Sequence, residues 1–403
     1  MKTGIATMPL DTGRVPAWLF ERMTRLMRIV TVIMVEEFGP EEFLRRISDP
    51  FWFQSISCAI GMDWNSSGTT PITLGALKEA LRGLENELGI YVCGGKGKTS
   101  KKTPEHILAV AEKTGLPANK YINLSKLVAK VDNTLIQDGF QLYHHSFLLT
   151  SKGSWAVIQQ GMNTRMAQAR RYHWLAPSSS LGTKPRPIAA MAQTASAASV
   201  NHLGGHQTKL ASTAIGSSAK RSDALNFNLT LEPHTGIVSN LRLKNVLNLT
   251  NKQSSENKNM LVDLVNEPRD LLKDLLLMAK TPPQKTLFLP DVEFHTHPVS
   301  SEKFNTKRLG KIIARASFLQ PQTIEALLLI AGVGPATIRA ISLVAELIYN
   351  KPVSRIDPAR YTFAHGGKDG TPYPVDRRTY DETIALLNKA LKKAQQTKIY
   401  VRT

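Results

Sequence analysis

The chain has 403 residues, which is long enough for two or three domains, each with its own hydrophobic core. Its formal net charge of +19 predicts a polyanionic partner whose binding weakens as salt is added. No apolar run reaches the ~18–20 residues that span a bilayer, and the start lacks the apolar core of a secretory signal. The only cysteines are Cys58 and Cys93, so a disulfide framework and a cysteine-based zinc site are both excluded. We therefore expect a soluble protein of the reducing cytoplasm with no membrane partner.

The first segment, residues 1–175, has the mixed pattern of an α/β domain. Apolar residues recur at helical spacing in 16–37 and again in 73–88, and each run predicts a core helix. A short strand is expected at 89–92. A threonine, a proline and a glutamate then resemble the N-cap and acidic first turn of a further helix at 103–113.

Two β-rich runs and a basic run complete this first segment. Residues 140–149 and 155–160 predict strands, and the polar residues 151–153 between them predict a hairpin turn. Residues 163–174 are rich in arginine and are interpreted as a basic helix.

The second half of the chain begins with a change of composition. Residues 176–226 are dominated by Ser, Ala, Thr and Gly, which predicts a flexible basic insertion. A mixed middle segment, 227–302, is expected to complete the body with strands near 236–249 and a helix at 268–280. The remaining residues, 303–403, predict an all-helical domain. The expected fold class is thus α+β, a mixed α/β body followed by an all-α C-terminal domain.

Residues 324–349 are the most informative part of the sequence. They read as an apolar helix, a Gly-Val-Gly turn and a second apolar helix, which is the helix-hairpin-helix pattern that binds nucleic-acid phosphates. Gly332 and Gly334 are expected to supply positive φ angles and close backbone approach. The first N–H groups of the second helix, near Ala336 and Thr337, would then form an anion site. The alternative is an ordinary helical hairpin with a glycine turn.

A row of acidic residues and histidines is the sharpest candidate for chemistry. On a strand, Asp291, Glu293, His295 and His297 would share one face because side chains alternate with a period of two. Two carboxylates and two imidazoles suit a divalent ion, Mg²⁺ or Mn²⁺ above all, with Zn²⁺ also considered. Such an ion would activate water and stabilise phosphoryl charge in a nuclease. The alternative is the polar face of an amphipathic edge strand.

Adjacent histidines form a second candidate at His144 and His145. Since neighbours on a strand face opposite ways, we expect at most one of them to line a site, as a general base, metal ligand or phosphate-binding cation. A structural histidine held by hydrogen bonds is the alternative for either one.

Two sets of basic residues are candidate DNA contacts. Lysines in a Gly-rich turn offer ammonium groups to phosphates, and arginines on the expected basic helix do the same. The lysines are Lys96, Lys98, Lys101 and Lys102, and the arginines are Arg165, Arg170 and Arg171. Solvated loops and helix faces are the alternatives.

The chain resembles an uncharacterised prokaryotic family, domain of unknown function 763. The resemblance covers nearly the whole chain outside the Ser/Ala-rich segment. The matching stretches include SDPFWFQ, DWNSSGTT, GGKGKTSKKTPE, DGFQLYHHSF, WAVIQQGMN, ARRYHW and AGVGPATIRAISLVAELIY. It differs from the family at Asn65, where a histidine is usual, and at 177–226, which looks like an insertion. The resemblance implies a helix-hairpin-helix domain and a link with nucleic acid, and no settled reaction.

Three functions remain after this reading. The leading one is a DNA-binding protein of repair or processing that cuts DNA with a divalent metal, and single- or double-stranded substrate is not resolved. The second is a nonenzymatic DNA-structure binder. The third is a DNA glycosylase, since enzymes of the helix-hairpin-helix superfamily carry a catalytic aspartate beyond the hairpin, here Asp357 or Asp376. The lysine of their bifunctional members is replaced by Ala336, which argues against lyase chemistry. The sequence leaves formation of a homo-oligomer open.

Overall fold

The computed structural model contains many helices and one large sheet. It describes residues 8–10, 13–62, 65–176, 228–239, 242–280 and 305–359. The helices in the first half are α1 (Ala17–Phe38), α2 (Pro40–Ile47), α3 (Pro50–Ala59), α4 (Thr69–Leu81), α5 (Glu85–Leu88), α6 (Lys98–Lys101), α7 (Thr103–Thr114) and α8 (Ala118–Lys130). Those in the second half are α9 (Ser255–Asn266), α10 (Pro268–Lys280), α11 (Thr306–Phe318), α12 (Ile324–Leu329) and α13 (Pro335–Leu347). Within these ranges no helix is both long and apolar enough to cross a membrane.

The strands form a five-stranded antiparallel sheet and a separate pair. The large sheet has the order β1-β3-β4-β5-β6, and β2 pairs with β7. The strands are β1 (Ile90–Lys96), β2 (Ile136–Gln137), β3 (Gln141–Thr150), β4 (Trp155–Asn163), β5 (Gln168–Leu175), β6 (Gly236–Val238) and β7 (Leu247–Asn248). Helices and an antiparallel sheet in one chain confirm the mixed α+β class.

Helix α1 is the long core helix that the apolar spacing predicted. Met23, Met27 and Met34 repeat at intervals of four and seven residues, so they lie on one buried face. Gly39 ends the helix with a φ of 83°, and its N–H bonds the carbonyl of Val35. The buried face packs into the same core as β3 and β4.

The helix expected at 73–88 is interrupted in the structure. Helix α4 ends at Leu81, and α5 is a single turn after the break. Gly83 has a φ of 81°, a conformation that a right-handed helix does not contain. Local glycine geometry therefore overrides the apolar periodicity.

The predicted hairpin at 140–160 is present as β3 and β4. The N–H of Thr150 bonds the carbonyl of Ser154 at 2.8 Å, closing the turn around Gly153. On one face of the sheet, Leu148 and Ile158 pack with the N-terminal helices. The opposite face lies against α8.

The predicted basic helix at 163–174 is wrong, because these residues form the end of β4 and the strand β5. Strand alternation splits the arginines between the two faces of the sheet. Arg170 approaches Asp138 on one face, whereas Arg171 stacks on Phe53 of α3 on the other. Both faces of β5 are buried, and its two arginines contact other side chains rather than solvent.

The Gly- and Lys-rich segment is also more regular than expected. Strand β1 continues beyond the predicted 89–92, through Cys93 to Lys96, and pairs with β3 along that length. The turn begins only at Gly97. Thr103, expected as an N-cap, is instead the first residue of α7, which has no side-chain cap.

The C-terminal elements agree with several predictions. The helix expected at 268–280 is α10, and the two helices expected within 324–349 are α12 and α13. The strands expected near 236–249 are reduced to β6 and β7. Residues 281–304 and 360–403 lie outside the described part, so the extent of an all-helical domain over 303–403 stays a prediction, as do the other domain boundaries.

Candidate active site and nucleic-acid interface

A cleft of about 260 Å³ opens between α8, the start of α7 and strand β3. Its lining includes Ser125 and Lys126 of α8, residues 100–104, and both His144 and His145. We expected at most one histidine to line a site. Both histidines border the cleft, although their register against β4 is regular, His144 opposite Gln160 and His145 opposite Gln159.

His145 is held by hydrogen bonds at both ring nitrogens. Its Nε2 lies 2.8 Å from the Ser125 hydroxyl, and its Nδ1 lies 2.7 Å from Oε1 of Gln159. The Oε1 atom can only accept, so Nδ1 must carry the proton that it donates. In a neutral imidazole Nε2 is then the acceptor, and the Ser125 hydroxyl donates to it.

The orientation of the Gln159 amide is itself fixed by its neighbours. Its Nε2 donates to the carboxylate of Asp132 and to the backbone carbonyl of Val128 at 3.3 Å. Asp132 is fully buried and lies in a π-helical turn, Val131–Leu135, that follows α8. Its carboxylate also accepts from Trp174 Nε1 at 2.8 Å and is paired with His234 Nε2.

Burial keeps the His145 imidazole uncharged. It lowers the pKa of His145, and the opposing effects of the Gln159 hydrogen bond and the Asp132 charge are smaller. A neutral imidazole has one unprotonated ring nitrogen that can take a proton, whereas an imidazolium has none. Hydrogen bonds thus link Asp132 to Gln159 and Gln159 to His145. They orient His145 so that its basic Nε2 faces the Ser125 hydroxyl.

His144 has a less defined environment. Its Nε2 lies 2.9 Å from the Ser146 hydroxyl, and its Nδ1 has no hydrogen-bond partner among the described residues. Burial lowers the pKa of His144 to about 3, with smaller effects from His145 and Lys96. This shift favours an uncharged imidazole near neutral pH, and the roles of general base, metal ligand or phosphate-binding cation stay predictions.

Gly94 lets β1 come close to this cluster. A Cβ added there would lie 2.2 Å from the backbone oxygen of His145 and 2.5 Å from Oγ1 of Thr103, and its φ is 91°. Only glycine fits this position. The close approach brings the start of α7 to the edge of the cleft.

Exposed lysines continue from the cleft along two elements. Four lysines at the end of β1 and just after it are exposed, and their contact with DNA stays a prediction: Lys96, Lys98, Lys101 and Lys102. Lys126 borders the cleft, and Lys130 is one helical turn, about 6 Å, further along α8. The ammonium group of Lys130 donates to the carbonyl of Val333, in the turn between α12 and α13.

That turn confirms one glycine prediction and corrects another. Gly332 has a φ of 96°, as expected, and a Cβ there would lie 3.3 Å from Ile312. Gly334 has a φ of −154°, so it needs no positive φ, and a Cβ built on it meets no described atom within 4 Å. Ala336 is exposed at the start of α13, but Thr337 is buried and cannot contact an external phosphate directly.

The proposed DNA contact at Arg170 is wrong, because its side chain is fully buried in an ion-pair cluster. Its guanidinium bonds both oxygens of Asp357, at 2.9 and 2.8 Å, and Oδ2 of Asp138 at 2.9 Å. Asp357 also accepts from the backbone N–H of Leu243 at 2.7 Å. Arg165, in contrast, is exposed in the turn between β4 and β5.

Arg171 is equally unavailable to DNA. It is fully buried, stacks 4.4 Å from the ring centre of Phe53, and donates to Nε2 of His173 at 2.8 Å. Burial lowers the pKa of Arg171 to about 9. Its position on β5, rather than on a surface helix, explains why the prediction failed.

The predicted metal ligands Asp291, Glu293, His295 and His297 lie outside the described residues, as does Asp376. Within the described ranges, no group of three or more histidine, cysteine or acidic side chains is arranged to hold a metal ion. The four-residue metal site therefore remains a prediction.

Comparison with known proteins gives a family and nothing closer. No curated protein and no solved structure matches the chain. The family profile described as "Protein of unknown function (DUF763)" matches residues 4–223 and 216–375, which together cover most of the sequence. The chain therefore belongs to this family.

Proposed function

We propose that the protein binds DNA during repair or processing and grips the phosphate backbone through the helix-hairpin-helix formed by α12, α13 and their turn. The observation that carries this proposal is Gly334. Its backbone is extended and no described residue lies near its Cβ position, so neither strain nor packing within the described ranges requires a glycine there. A close external partner would explain why a side chain is missing at the start of α13.

The start of α13 has the chemistry of an anion site. Its first N–H groups have no partners within the helix, and the helix dipole adds partial positive charge there. Lys130 donates to the carbonyl of Val333, and Arg315 of α11 donates to that of Ala331 at 3.4 Å, so two cations flank the turn. Helix α11 contains four basic and no acidic residues, among them Lys307, Arg308 and Lys311.

The surface charge extends this grip toward the cleft. Lys130 beside the turn and Lys126 beside the cleft lie on the same side of α8. Lys101, one of the exposed lysines after β1, borders the same cleft as Lys126. A DNA phosphate backbone bound at the hairpin would therefore extend to the cleft along a row of lysine ammonium groups.

Metal-dependent DNA cleavage is the finer part of the proposal. In it Asp291, Glu293, His295 and His297 hold Mg²⁺ or Mn²⁺, and the ion activates water and stabilises the charge on phosphorus. The alternative is a nonenzymatic DNA-structure binder, which the basic surface alone supports. Glycosylase chemistry has less support, since Asp357 is committed to the ion pair with Arg170. We further propose a cytoplasmic protein, in keeping with the free thiols of Cys58 and Cys93.

The hairpin is tested by Gly334→Asp against Gly334→Asn. Both side chains are good N-caps, fit an extended backbone and meet no neighbour, so both variants should fold. Only the aspartate places a negative charge where the phosphate is proposed to bind. We expect Gly334→Asp to weaken binding of labelled duplex and single-stranded DNA at least tenfold relative to Gly334→Asn. Equal affinities would refute the hairpin as the phosphate site.

Cleavage is tested separately with single-stranded and duplex DNA in Mg²⁺, Mn²⁺ or EDTA. The matched variant is Asp291→Ala with Glu293→Ala. Metal-dependent products that disappear in the variant, while DNA affinity is retained, would support the nuclease. Binding without cleavage under every condition would favour the nonenzymatic reading.

A further inference from the structure

We propose that Ser125 is a nucleophile for phosphate esters, activated by His145 in the cleft between α7, α8 and β3. This site is separate from the metal ligands proposed at 291–297 and requires neither the metal nor the DNA-binding hairpin. It combines a hydroxyl, a neutral base, an orienting amide and an anion-attracting rim within one cavity.

Activation follows from the direction of each hydrogen bond. Asp132 can only accept, so it fixes the Gln159 amide with Nε2 toward the carboxylate and Oε1 toward His145. That oxygen fixes the proton of His145 on Nδ1 and leaves Nε2 to accept from the hydroxyl at 2.8 Å. This is the logic of a serine–histidine–acid triad with an amide inserted between imidazole and carboxylate.

The rim of the cleft selects an anionic substrate. Lys101 and Lys126 border it, and none of the described residues that line it is acidic. Thr103 and Pro104 place the positive end of α7, a 12-residue helix, at the same edge. A phosphate ester carries the negative charge that these groups attract, and its phosphorus is the electrophile that an activated hydroxyl attacks.

The reaction has two steps, transfer of the phosphoryl group to Ser125 and hydrolysis of the resulting phosphoserine. Oγ of Ser125 forms a bond to phosphorus as its proton passes to Nε2 of His145. The bond from phosphorus to the ester oxygen breaks, and that oxygen leaves with the proton from His145. Water then attacks phosphorus and gives a proton to Nε2, the bond to Oγ breaks, and the serine hydroxyl recovers its proton.

Ser146 and His144 form a second serine–histidine pair, but Ser146 is not among the residues that line the cleft. Their hydroxyl and Nε2 are 2.9 Å apart, close to the distance of the Ser125 pair. Nδ1 of His144 has no hydrogen-bond partner among the described residues, so no hydrogen bond orients that ring from its other side. We therefore expect Ser146 to be less reactive than Ser125, because it lacks both the cleft and an oriented base although the two distances match.

The experiment treats the full chain with a biotinylated fluorophosphonate in EDTA without DNA, and mass spectrometry locates the adduct. We expect a stable adduct on Ser125 and none on Ser146. Substituting Ser125→Ala should abolish this adduct, with retention of the fold checked by circular dichroism. An unmodified Ser125 in the folded wild-type protein would overturn the proposal, whatever the variant does.

Substrate class is tested with bis(p-nitrophenyl) phosphate, p-nitrophenyl phosphate and p-nitrophenyl acetate, also in EDTA. Hydrolysis of either phosphate that is lost in Ser125→Ala supports the proposal. Lys126→Gln should lower this rate at least fivefold, because it removes one of the two lysines that border the cleft. Hydrolysis of the acetate alone would overturn the assignment to phosphate esters. Neither assay requires the DNA hairpin, so failure of DNA binding would not affect these outcomes.

Discussion

Replacing Arg170 with methionine should destabilise the protein more than any other single arginine change considered. Met has a comparable length and no charge, so the substitution mainly removes the guanidinium from between Asp138 and Asp357. All three side chains are at most 1% exposed. Breaking one buried ion pair by removing a partner costs roughly 3–5 kcal/mol, and here two carboxylates lose their partner. We expect a loss of at least about 4 kcal/mol.

The pH dependence of that loss identifies its cause. Burial already raises the pKa of Asp138, and the Arg170 charge is the largest effect opposing it. Without Arg170 the folded-state pKa rises further above the unfolded value. The protonated carboxyl then favours folding at low pH, and this contribution is lost as the pH rises through the folded-state pKa. The deficit of Arg170→Met should therefore be largest at neutral pH and shrink toward about pH 4.

Thermal and urea unfolding, followed by tryptophan fluorescence at pH 7 and pH 5, measure this deficit. Arg165→Met is the matched control, since Arg165 is exposed and its replacement should change stability by no more than about 0.5 kcal/mol. A loss of about 4 kcal/mol corresponds to a fall of order 10 °C in Tm for a protein of this kind. Equal melting of the two variants, or a deficit that is the same at both pH values, would refute the reasoning.

Three further predictions concern the sheet and its helices. Burial lowers the pKa of His144 to about 3, so the unfolded chain takes up this proton first as the pH falls. Because of His144, the free energy of unfolding should fall by about 2 kcal/mol between pH 7 and pH 5. In urea titrations of His144→Gln, the fall over this pH range should be smaller by that amount. Gly94→Ala should lower stability by more than about 2 kcal/mol in thermal melts, because its Cβ would collide with the His145 carbonyl; an unchanged Tm would contradict the close approach. Burial raises the pKa of Cys93 to about 12, so iodoacetamide at pH 8 should alkylate exposed Cys58 alone, and mass spectrometry would detect a modified Cys93 as the contrary result.

Sequence reasoning found the elements that carry a clear local signal. Helix α1 has apolar residues at helical spacing, the β3–β4 hairpin has two β-rich runs around a polar turn, and both positions were predicted within a few residues. Strand β5 has no such signal, because its arginines Arg170 and Arg171 are buried on opposite faces. Buried arginines cannot be distinguished from surface arginines by composition, since their partners come from distant parts of the chain.

The candidate site shows the same limit at the level of single residues. His145 stood out in the sequence beside its neighbour, but Ser125 lies in an ordinary amphipathic helix and carries no local signal. Gln159 and Asp132 come from two other elements, and only packing of α8 on the sheet joins the four groups. The glycines of the hairpin turn were identified from the sequence, but the extended backbone of Gly334 was not.

The contact between Arg170 and Asp357 joins positions 187 residues apart, whereas Asp138 is only 32 residues away from the same arginine. During synthesis at roughly 5–20 residues per second, Arg170 would wait about 10–40 seconds for its second carboxylate. Over that interval the Arg170 guanidinium has only one of its two carboxylate partners, Asp138. Such a long-range closure also slows spontaneous refolding. The contact between β5 and Asp357 is thus a late event in the synthesis of each new chain, and until it forms only one of the two carboxylates that hold Arg170 is in place.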